Sequence, residues 1–188
     1  KDLDSPALLC FTSGTTARPK GVILTHANIR SNLKDLIHVW RWSSEDRFLL
    51  TLPLFHVHGL VLGLHGWALT GCSLVLTQKF DPRQALDLLQ ILQCTLFMGV
   101  PTMYHRMLAS SNCRPHSFSS LRLAISGSAP MSVELHERCR KMIGQPVLER
   151  YGLTETIMNT SNPFKTRKPG SVGLPLPSCL LYTSDAAA

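Results

Sequence analysis

The sequence lacks the features that mark several common protein classes. No two of its six cysteines form a Cys-x-x-Cys pair, and no apolar run continues far enough to cross a bilayer. The stretch from Phe48 to Thr77 comes nearest, but a proline, glycines and three histidines interrupt it. The cysteines are dispersed and several lie in apolar segments, so we expect reduced thiols in a cytosol-like compartment. No signal or transit segment is recognisable from Lys1 onward.

Acidic residues are also scarce. The chain has 12 aspartates and glutamates against 19 lysines and arginines, which gives a formal net charge of +7. Such a surplus suits a polyanionic partner, either a small molecule rich in phosphate or a nucleic acid. The basic residues are scattered, with small clusters only at Arg138–Lys141 and Lys165–Lys168. We therefore predict small-molecule partners and no nucleic acid.

The segment Phe11–Gly21 is rich in hydroxyl groups, and its composition suits a polyphosphate. It follows the apolar run Ala7–Phe11, which predicts a buried strand, and it precedes a helix predicted to begin at Thr25. Glycine lets backbone N–H groups approach phosphate oxygens, hydroxyls add hydrogen bonds and lysine adds a mobile charge. The candidate phosphate-binding residues are Thr12, Ser13, Gly14, Thr15, Thr16 and Lys20. The P-loop of nucleotide triphosphatases is excluded, because glycine follows Lys20 where that motif has serine or threonine.

Apolar runs alternate with helical patterns over the rest of the chain. The predicted strands are Arg47–Leu52, Ser73–Thr77, Thr95–Val100, Leu121–Ser126 and Val147–Arg150, and the predicted helices lie near Leu60–Leu69, Arg83–Gln93, Thr102–Ala109 and Ser132–Met142. Asp81 before a proline predicts a helix start, and Gly144 predicts a helix end. The alternation predicts an α/β fold with a mostly parallel sheet and helices on both faces. Residues 159–177 are predicted to be irregular.

A second polar cluster, Glu149–Glu155, follows the last predicted strand. Gly152 permits a sharp turn, and Thr154 and Glu155 follow at once. A carboxylate beside a hydroxyl can hold Mg²⁺ against a polyphosphate, since this ion takes few protein oxygens and several phosphate oxygens. Tyr151 offers a flat face for a purine ring. The pattern therefore predicts Glu155 as a metal ligand.

Two further clusters also follow predicted strands. The small residues of Ser126–Pro130 let a ligand approach the backbone, although a tight turn would use the same residues. His56 and His58 are two residues apart on a segment predicted to be extended, which places them on one face. Two such histidines can bind a metal, but no third ligand stands at suitable spacing, so a metal site there is disfavoured.

The segments Phe11–Gly21 and Glu149–Glu155 resemble, in this order, the phosphate loop and the Tyr-Gly-x-Thr-Glu motif of the adenylate-forming superfamily, which includes acyl-CoA synthetases. The resemblance covers about residues 7–177 and implies that ATP and Mg²⁺ activate a carboxylic acid, which then passes to coenzyme A. The implied catalytic residues are Lys20, His56, Thr154 and Glu155, with Glu155 on the metal. The implied ATP-binding residues are Thr12, Ser13, Gly14, Thr15, Thr16, Lys20, Ser128, Ala129, Pro130, Tyr151, Gly152 and Thr154.

Two arginines bear on the identity of the acid. An arginine at the carboxyl end of a central strand, as predicted for Arg150, needs an anion, and a second carboxylate on the substrate would supply one. Glu149 is the internal alternative, although successive strand residues point to opposite faces. Arg106 lies on a predicted helix, where a solvated side chain is the alternative.

Within the superfamily, the segments Met98–Tyr104, Ser126–Pro130, Val147–Gly152 and Met158–Pro163 resemble malonyl-CoA synthetases. In that subfamily, arginines at the positions of Arg106 and Arg150 grip the distal carboxylate of malonate. The substrate-binding residues implied by this resemblance are His56, Arg106, Gly127, Arg150 and Met158.

The resemblance also predicts the organisation of the chain. Residues 1–177 are expected to be a fragment of the AMP-binding N-terminal domain, and residues 178–188 a tail without family likeness. Both ends look cut, so we expect the ribose-binding motif and the C-terminal domain to lie outside, and the fragment to have little activity alone. The location is expected to be cytoplasmic, with mitochondrial members of the subfamily as the alternative.

Three other functions remain open at this stage. The chain can belong to a CoA ligase for another acid, fatty or aryl. It can be a non-catalytic nucleotide-binding module, for which Ala17 is the one indication, because the family usually has glycine there. The third alternative is a nucleic-acid-binding protein, for which the net charge is the one indication.

Overall fold

The computed structural model describes residues 2–12 and 19–181. The strands in these ranges are β1 Pro6–Thr12, β2 Lys20–Thr25, β3 Arg47–Leu50, β4 Ser73–Leu76, β5 Leu96–Gly99, β6 Leu123–Ser126, β7 Leu148–Tyr151, β8 Thr160–Ser161 and β9 Leu174–Pro175. The α-helices are α1 His26–Trp40, α2 Gly66–Thr70, α3 Pro82–Ile91, α4 Pro101–Leu108 and α5 Val133–Ile143. A π-helix spans His58–His65, and a 3₁₀ turn spans Pro115–Phe118.

Seven of these strands form one sheet in the order β4-β3-β5-β6-β7-β8-β9. The first five are mutually parallel, and β8 and β9 add antiparallel strands at one side. The predicted α/β fold with a mostly parallel sheet is therefore confirmed. Since parallel strands end at the same edge, the segments that follow β3, β5, β6 and β7 lie side by side.

The alternation of side chains along the strands divides the core into two layers, one on each face of the sheet. The first layer packs α1 against the strand residues Phe48, Leu50, Leu96, Met98, Leu123, Ile125 and Leu148. The second packs α3, α4 and α5 against Leu49, Phe97 and Ala124. All of these strand side chains have no accessible surface. The sheet is thus covered by helices on both faces, as predicted.

The predicted helix ends are confirmed. The Asp81 side chain accepts a hydrogen bond of 2.9 Å from the Gln84 amide, and Pro82 is the first residue of α3. Gly144 ends α5 with a left-handed φ of 82°.

The prediction of a buried strand at Ala7–Phe11 is wrong in its burial. The strand exists, but β1 pairs antiparallel only with β2 in a separate two-stranded sheet. Leu9 and Phe11 are 55% and 70% exposed, because no described element covers that face of the hairpin. The rule that ligands bind at the carboxyl ends of parallel strands therefore does not apply to β1.

Two other predicted segments differ from the structure. The helix expected near Leu60–Leu69 begins two residues earlier, as a π-helix that continues into α2. Residues 159–177, predicted to be irregular, contain β8 and β9. The Trp40 indole donates a 2.8 Å hydrogen bond to the Ser161 hydroxyl, which ties this region to α1.

Within the described residues, no helix combines the length and the apolar character that a membrane span requires. All six cysteines are free, and Cys72, Cys94, Cys113 and Cys139 are buried. Burial raises the pKa of Cys139 to about 12, which keeps that thiol protonated and unreactive.

A buried ion pair joins the amino ends of the strands. The Asp46 carboxylate accepts hydrogen bonds from Arg122 Nε at 2.6 Å, from the Thr95 hydroxyl at 2.7 Å and from the Ser43 amide at 3.0 Å. The Asp46 carbonyl accepts from the Ser73 amide at 2.9 Å. One residue therefore links the starts of β3, β4, β5 and β6.

These bonds determine the ionisation of Asp46. Burial alone would raise its pKa, but the hydrogen bonds from Arg122, Ser43 and Thr95 and the guanidinium charge hold that pKa below its ordinary value. Because the folded pKa is the lower one, the pair stabilises the fold above the unfolded pKa of about 3.9. That stabilisation is lost as the pH falls through the folded pKa.

We predict that Asp46→Asn lowers the free energy of unfolding by about 1.5–3 kcal/mol at pH 7, the usual value of hydrogen bonds to a charged group. Urea unfolding followed by circular dichroism measures the change. Glu45→Gln is the matched control, since Glu45 is exposed and adjacent. The difference between Asp46→Asn and the unsubstituted protein should shrink below about pH 4, and a constant difference down to pH 2 would contradict the assignment.

Candidate active site

The carboxyl ends of the parallel strands surround a cavity of about 1060 Å³. Its walls come from residues 51–59 after β3, residue 100 after β5, Ser128 after β6, and Arg150 and residues 152–154 at the end of β7. Residues 78–80, 103 and 106 close the other side. The cavity lies where an open parallel sheet is expected to bind ligands.

Arg150 is the charged group at the centre of this arrangement. The side chain is in β7, is only 4% exposed and lines the cavity. Its Nε and Nη2 atoms are buried and have no hydrogen-bond partner among the described residues. Burial lowers the pKa of Arg150 to about 10, so the guanidinium remains charged at neutral pH.

Glu149 does not neutralise Arg150. Its carboxylate accepts a 2.9 Å hydrogen bond from the Gly170 amide and lies 4.0 Å from His136 Nε2. The internal partner considered from the sequence is therefore excluded among the described residues. A buried cation without a partner is costly, and an anion in the cavity would remove that cost.

Gly127 makes room for the guanidinium. A Cβ atom at this position would lie 2.3 Å from Arg150 Cζ and 2.4 Å from its Nε. Those atoms are the rigid, buried head of the side chain, so any larger residue would displace the cation. The small residue singled out from the sequence therefore packs directly against Arg150.

The two histidines of the segment after β3 occupy different environments. His56 is exposed and lies beside the Phe55 ring, with the centroids 4.5 Å apart. His58 is 4% exposed, begins the π-helix and places Nδ1 3.2 Å from the Ser128 hydroxyl. Both line the cavity, but they do not share one face of an extended strand, because the helix begins at His58.

The His58 imidazole is neutral at physiological pH. Burial is the main cause that lowers its pKa well below the ordinary value, and the charges of Arg150 and His56 add to it. Its Nε2 atom has no hydrogen-bond partner among the described residues. The family resemblance selects His56 and passes over His58. The i and i+2 spacing of the two histidines indicates only metal binding, so it does not identify His58 as part of the site.

Arg106 lies on α4 at the rim of the cavity. Its side chain is exposed, and the guanidinium lies over the Phe80 ring, 5.2 Å from the centroid. The side chain is thus solvated, as in the alternative considered from the sequence, and it borders the same cavity as Arg150.

The turn after β7 is tightly built. A Cβ on Gly152 would lie 2.0 Å from the Ile157 carbonyl oxygen, so only glycine fits. Ile157 has a φ of 61°, which is rare for a β-branched residue. Thr154 and Met158 line the main cavity, whereas Tyr151 is 43% exposed and lies outside its wall.

Glu155 borders a second cavity, of about 400 Å³, on the other side of this turn. The residues that separate the two cavities are Ile157 and Met158, which line both. Leu24 of β2 and Asn28 of α1 line the same cavity. The acidic residue therefore borders one cavity together with the strand that follows the candidate phosphate loop.

The candidate phosphate loop is placed only at its ends. Thr12 closes β1 and pairs with the exposed Lys20, the first residue of β2. Lys20 lies four residues before Leu24, about 13 Å along an extended strand. Ser13, Gly14, Thr15, Thr16 and Ala17 lie outside the described residues.

The residues of the loop after β6 do not all border the main cavity. Ser128 borders the main cavity, whereas Ala129 and Pro130 are exposed, and Pro130 borders a separate surface cleft with Pro101. Ser128 has a φ of 66°, again in the left-handed region.

The donor groups fit Mg²⁺ only together with a phosphate. The described residues contain no group of three His, Cys, Asp or Glu side chains that could hold a metal ion. Glu155 is exposed, and no cation lies within ion-pair distance of it in the described part of the chain. One free carboxylate is the set that Mg²⁺ uses when substrate phosphates complete its coordination.

The chain matches the family described as AMP-binding enzyme over residues 1–187. It is 39% identical to the mitochondrial malonate–CoA ligase ACSF3 of Homo sapiens over 91% of its own length and 32% of that protein. The ATP-bound structure of MatB from Rhodopseudomonas palustris is 42% identical with a TM-score of 0.89, covering 94% of this chain and 35% of the other.

A third similar protein is O-succinylbenzoate coenzyme A synthetase (MenE) from Bacillus subtilis, solved in complex with ATP and magnesium ion. It is 34% identical with a TM-score of 0.82, over 94% of this chain and 37% of the other. The chain thus spans about a third of the length of the relatives that it matches.

We predict that Arg150→Met raises the pKa of His58, because removal of the nearby cation leaves burial as the main opposing cause. The pKa should stay below 6.5, since the ring remains buried. Nitrogen-detected NMR of the imidazole measures it. Arg106→Met is the control and should leave it unchanged, whereas titration of His58 near pH 6.5 in the unsubstituted protein would contradict the assignment.

Proposed function

Because this chain belongs to the AMP-binding enzyme family, we propose that it forms part of an AMP-forming acid–thiol ligase. The enzyme activates a carboxylic acid with ATP as an acyl-adenylate and then transfers the acyl group to coenzyme A. The proposed acid carries a second carboxylate, with malonate as the main candidate. The similarity to the human malonate–CoA ligase ACSF3 and to a malonyl-CoA ligase solved with methylmalonyl-CoA and AMP supports that choice.

The observation that carries the proposal is the unpaired guanidinium of Arg150. A buried cation with two unmet donor atoms demands an acceptor of negative charge. A planar guanidinium binds a carboxylate with two parallel hydrogen bonds, and Gly127 keeps its position clear. A monocarboxylic acid would leave the cation buried and unpaired, so the site selects against it.

The remaining residues are proposed to position the two reacting groups. Arg106 at the rim adds a second positive charge for the distal carboxylate, and Met158 supplies apolar wall. His56, at the exposed end of the cavity, borders the path of the reacting carboxylate. The acid then lies with its distal carboxylate inward, at Arg150, and its reacting carboxylate outward.

The nucleotide is proposed to lie across the β7 turn, because Ser128, Gly152 and Thr154 line the main cavity and Glu155 borders the second one. The polyphosphate would be held by residues 12–16 with Lys20, and by Thr154 at the α-phosphate. Tyr151 would stack on adenine, beside Ser128, Ala129, Pro130 and Gly152. When bound through Glu155, Mg²⁺ would neutralise the phosphate charge that develops as the acid attacks.

Each half-reaction is a displacement at a fixed centre. A carboxylate oxygen attacks the α-phosphorus, the bond to pyrophosphate breaks, and AMP becomes the leaving group for the thiol of coenzyme A. The protein contributes positioning and charge neutralisation. A reducing compartment, either cytoplasm or mitochondrion, is proposed from the buried free thiols.

A ligase for an aryl acid is the second candidate, since MenE is similar in fold and sequence. The two candidate functions are distinguished by the size of the acid that the enzyme accepts, because an aromatic acid and malonate fill the cavity to different extents. A non-catalytic nucleotide-binding module would bind Mg-ATP without turnover.

The test is ATP–pyrophosphate exchange in the natural polypeptide that contains these residues, with malonate, succinate, propionate, butyrate and benzoate compared. We predict that malonate gives the highest kcat/KM. Arg150→Met should lower kcat/KM for malonate by about 10- to 100-fold, the value of a charge-assisted hydrogen bond. Propionate should be used at least as well as before.

Arg30→Met is the matched control, because Arg30 is exposed on α1 and lines neither cavity. It should leave kcat/KM unchanged for both malonate and propionate. Equal loss for malonate and propionate in Arg150→Met would overturn the assignment of Arg150, and absence of exchange with any acid would favour the non-catalytic module.

The length comparison yields a further prediction. Since relatives are about three times longer than this chain, residues 1–188 alone should form malonyl-CoA at a small fraction of the rate of the longer polypeptide. Mass spectrometry of the product measures it. Malonyl-CoA formed by residues 1–188 at comparable rates would contradict the prediction.

A further inference from the structure

We propose that His58 is a specificity-determining residue that donates a hydrogen bond from Nε2 to the same carboxylate that Arg150 binds. This inference rests on the proposed function and adds a second recognition group to the site. It starts from the observation that His58 and Arg150 line one cavity, and that each has a buried polar atom without a partner in the described part of the chain.

The unmet atoms demand one kind of ligand. A guanidinium can only donate hydrogen bonds, so the group that satisfies Arg150 Nε and Nη2 must be an acceptor. A carboxylate has about four acceptor sites on two oxygens, enough for both guanidinium atoms and one more donor. An imidazole N–H at Nε2 of His58 would supply that donor.

Donation by the Ser128 hydroxyl would select this tautomer. The hydroxyl lies 3.2 Å from His58 Nδ1 and has no other hydrogen-bond partner among the described residues. A serine hydroxyl that donates to Nδ1 leaves the single proton of a neutral imidazole on Nε2. The ring is then held as a neutral donor beside a cation, which avoids repulsion between two positive groups.

The backbone around Ser128 is arranged for this contact. Ser128 has a left-handed φ of 66°, a conformation that is unfavourable for a residue other than glycine. The preceding residue, Gly127, clears the space for Arg150. Two consecutive residues after β6 therefore set both recognition groups, one through its missing Cβ and the other through its hydroxyl.

The test compares histidine substitutions in the natural polypeptide by ATP–pyrophosphate exchange. His58→Leu should raise KM for malonate about 10-fold or more and leave kcat within about 2-fold, because a contact present throughout the reaction is lost. KM for propionate should change less than about 3-fold. Dissociation constants for ATP, measured by calorimetry, check that each variant is folded.

Two polar variants isolate the proposed atom. The side-chain amide nitrogen introduced by His58→Gln reaches the position of Nε2, whereas the shorter amide introduced by His58→Asn reaches only that of Nδ1. His58→Gln should therefore keep KM for malonate within about 3-fold, and His58→Asn should resemble His58→Leu. A merely structural histidine would not produce this order. His105→Leu, an exposed histidine of α4 outside the cavity, is the control.

The outcomes separate this inference from the proposed function. Preference for malonate together with equal effects of His58→Gln and His58→Asn, or with parallel losses for malonate and propionate, would overturn the role of His58 alone. Loss of the malonate preference in the unsubstituted protein would overturn the proposed function itself. Ser128→Gly removes the hydroxyl without backbone strain, and it should raise KM for malonate; no change in that KM would refute the positioning by Ser128.

Discussion

The burial of one guanidinium without a partner is the constraint on which the site depends. Removing a cation from water costs several kcal/mol even after relaxation, and Arg150 has neither a carboxylate nor a carbonyl in the described residues to offset that cost. Two neighbours avoid adding to that cost: Gly127 leaves space for the guanidinium, and His58 stays uncharged. The unliganded site is therefore strained in an electrostatic sense, and an anion relieves the strain.

The two edges of the sheet differ in how they pair an arginine side chain. At the amino edge, Arg122 meets the buried carboxylate of Asp46, and the pair joins the starts of four strands. At the carboxyl edge, Arg150 meets nothing of the kind among the described residues. A closed network stabilises and fixes the strands, whereas an open one leaves a demand that only a ligand can meet. The contrast separates a structural anchor at one edge from a candidate binding site at the other.

The sequence predicts the parallel sheet and the helix ends because those depend on local signals, such as the proline after Asp81 and the glycine at 144. It fails where a distant partner decides the outcome. The apolar run that ends at Phe11 predicts burial, yet pairing with β2 alone leaves it exposed. His56 and His58 are equivalent under strand geometry, and the helix start at His58 separates them. No local sequence pattern predicts the contact between His58 and Ser128, because the two residues are 70 positions apart.

Strained backbone marks two loops that border the cavity of Arg150 and His58. Ser128 follows β6 and Ile157 follows β7, and both have positive φ values that cost of order 1–3 kcal/mol each. Such conformations persist only where surrounding contacts leave the chain no alternative, as at Gly152, where the Ile157 carbonyl closes the turn. A rigid loop cannot swing its polar groups away to find water or other partners. Since these loops are fixed before any ligand arrives, a carboxylate that enters the cavity would pay little ordering entropy for them, which favours the proposed discrimination between acids with one and two carboxylates.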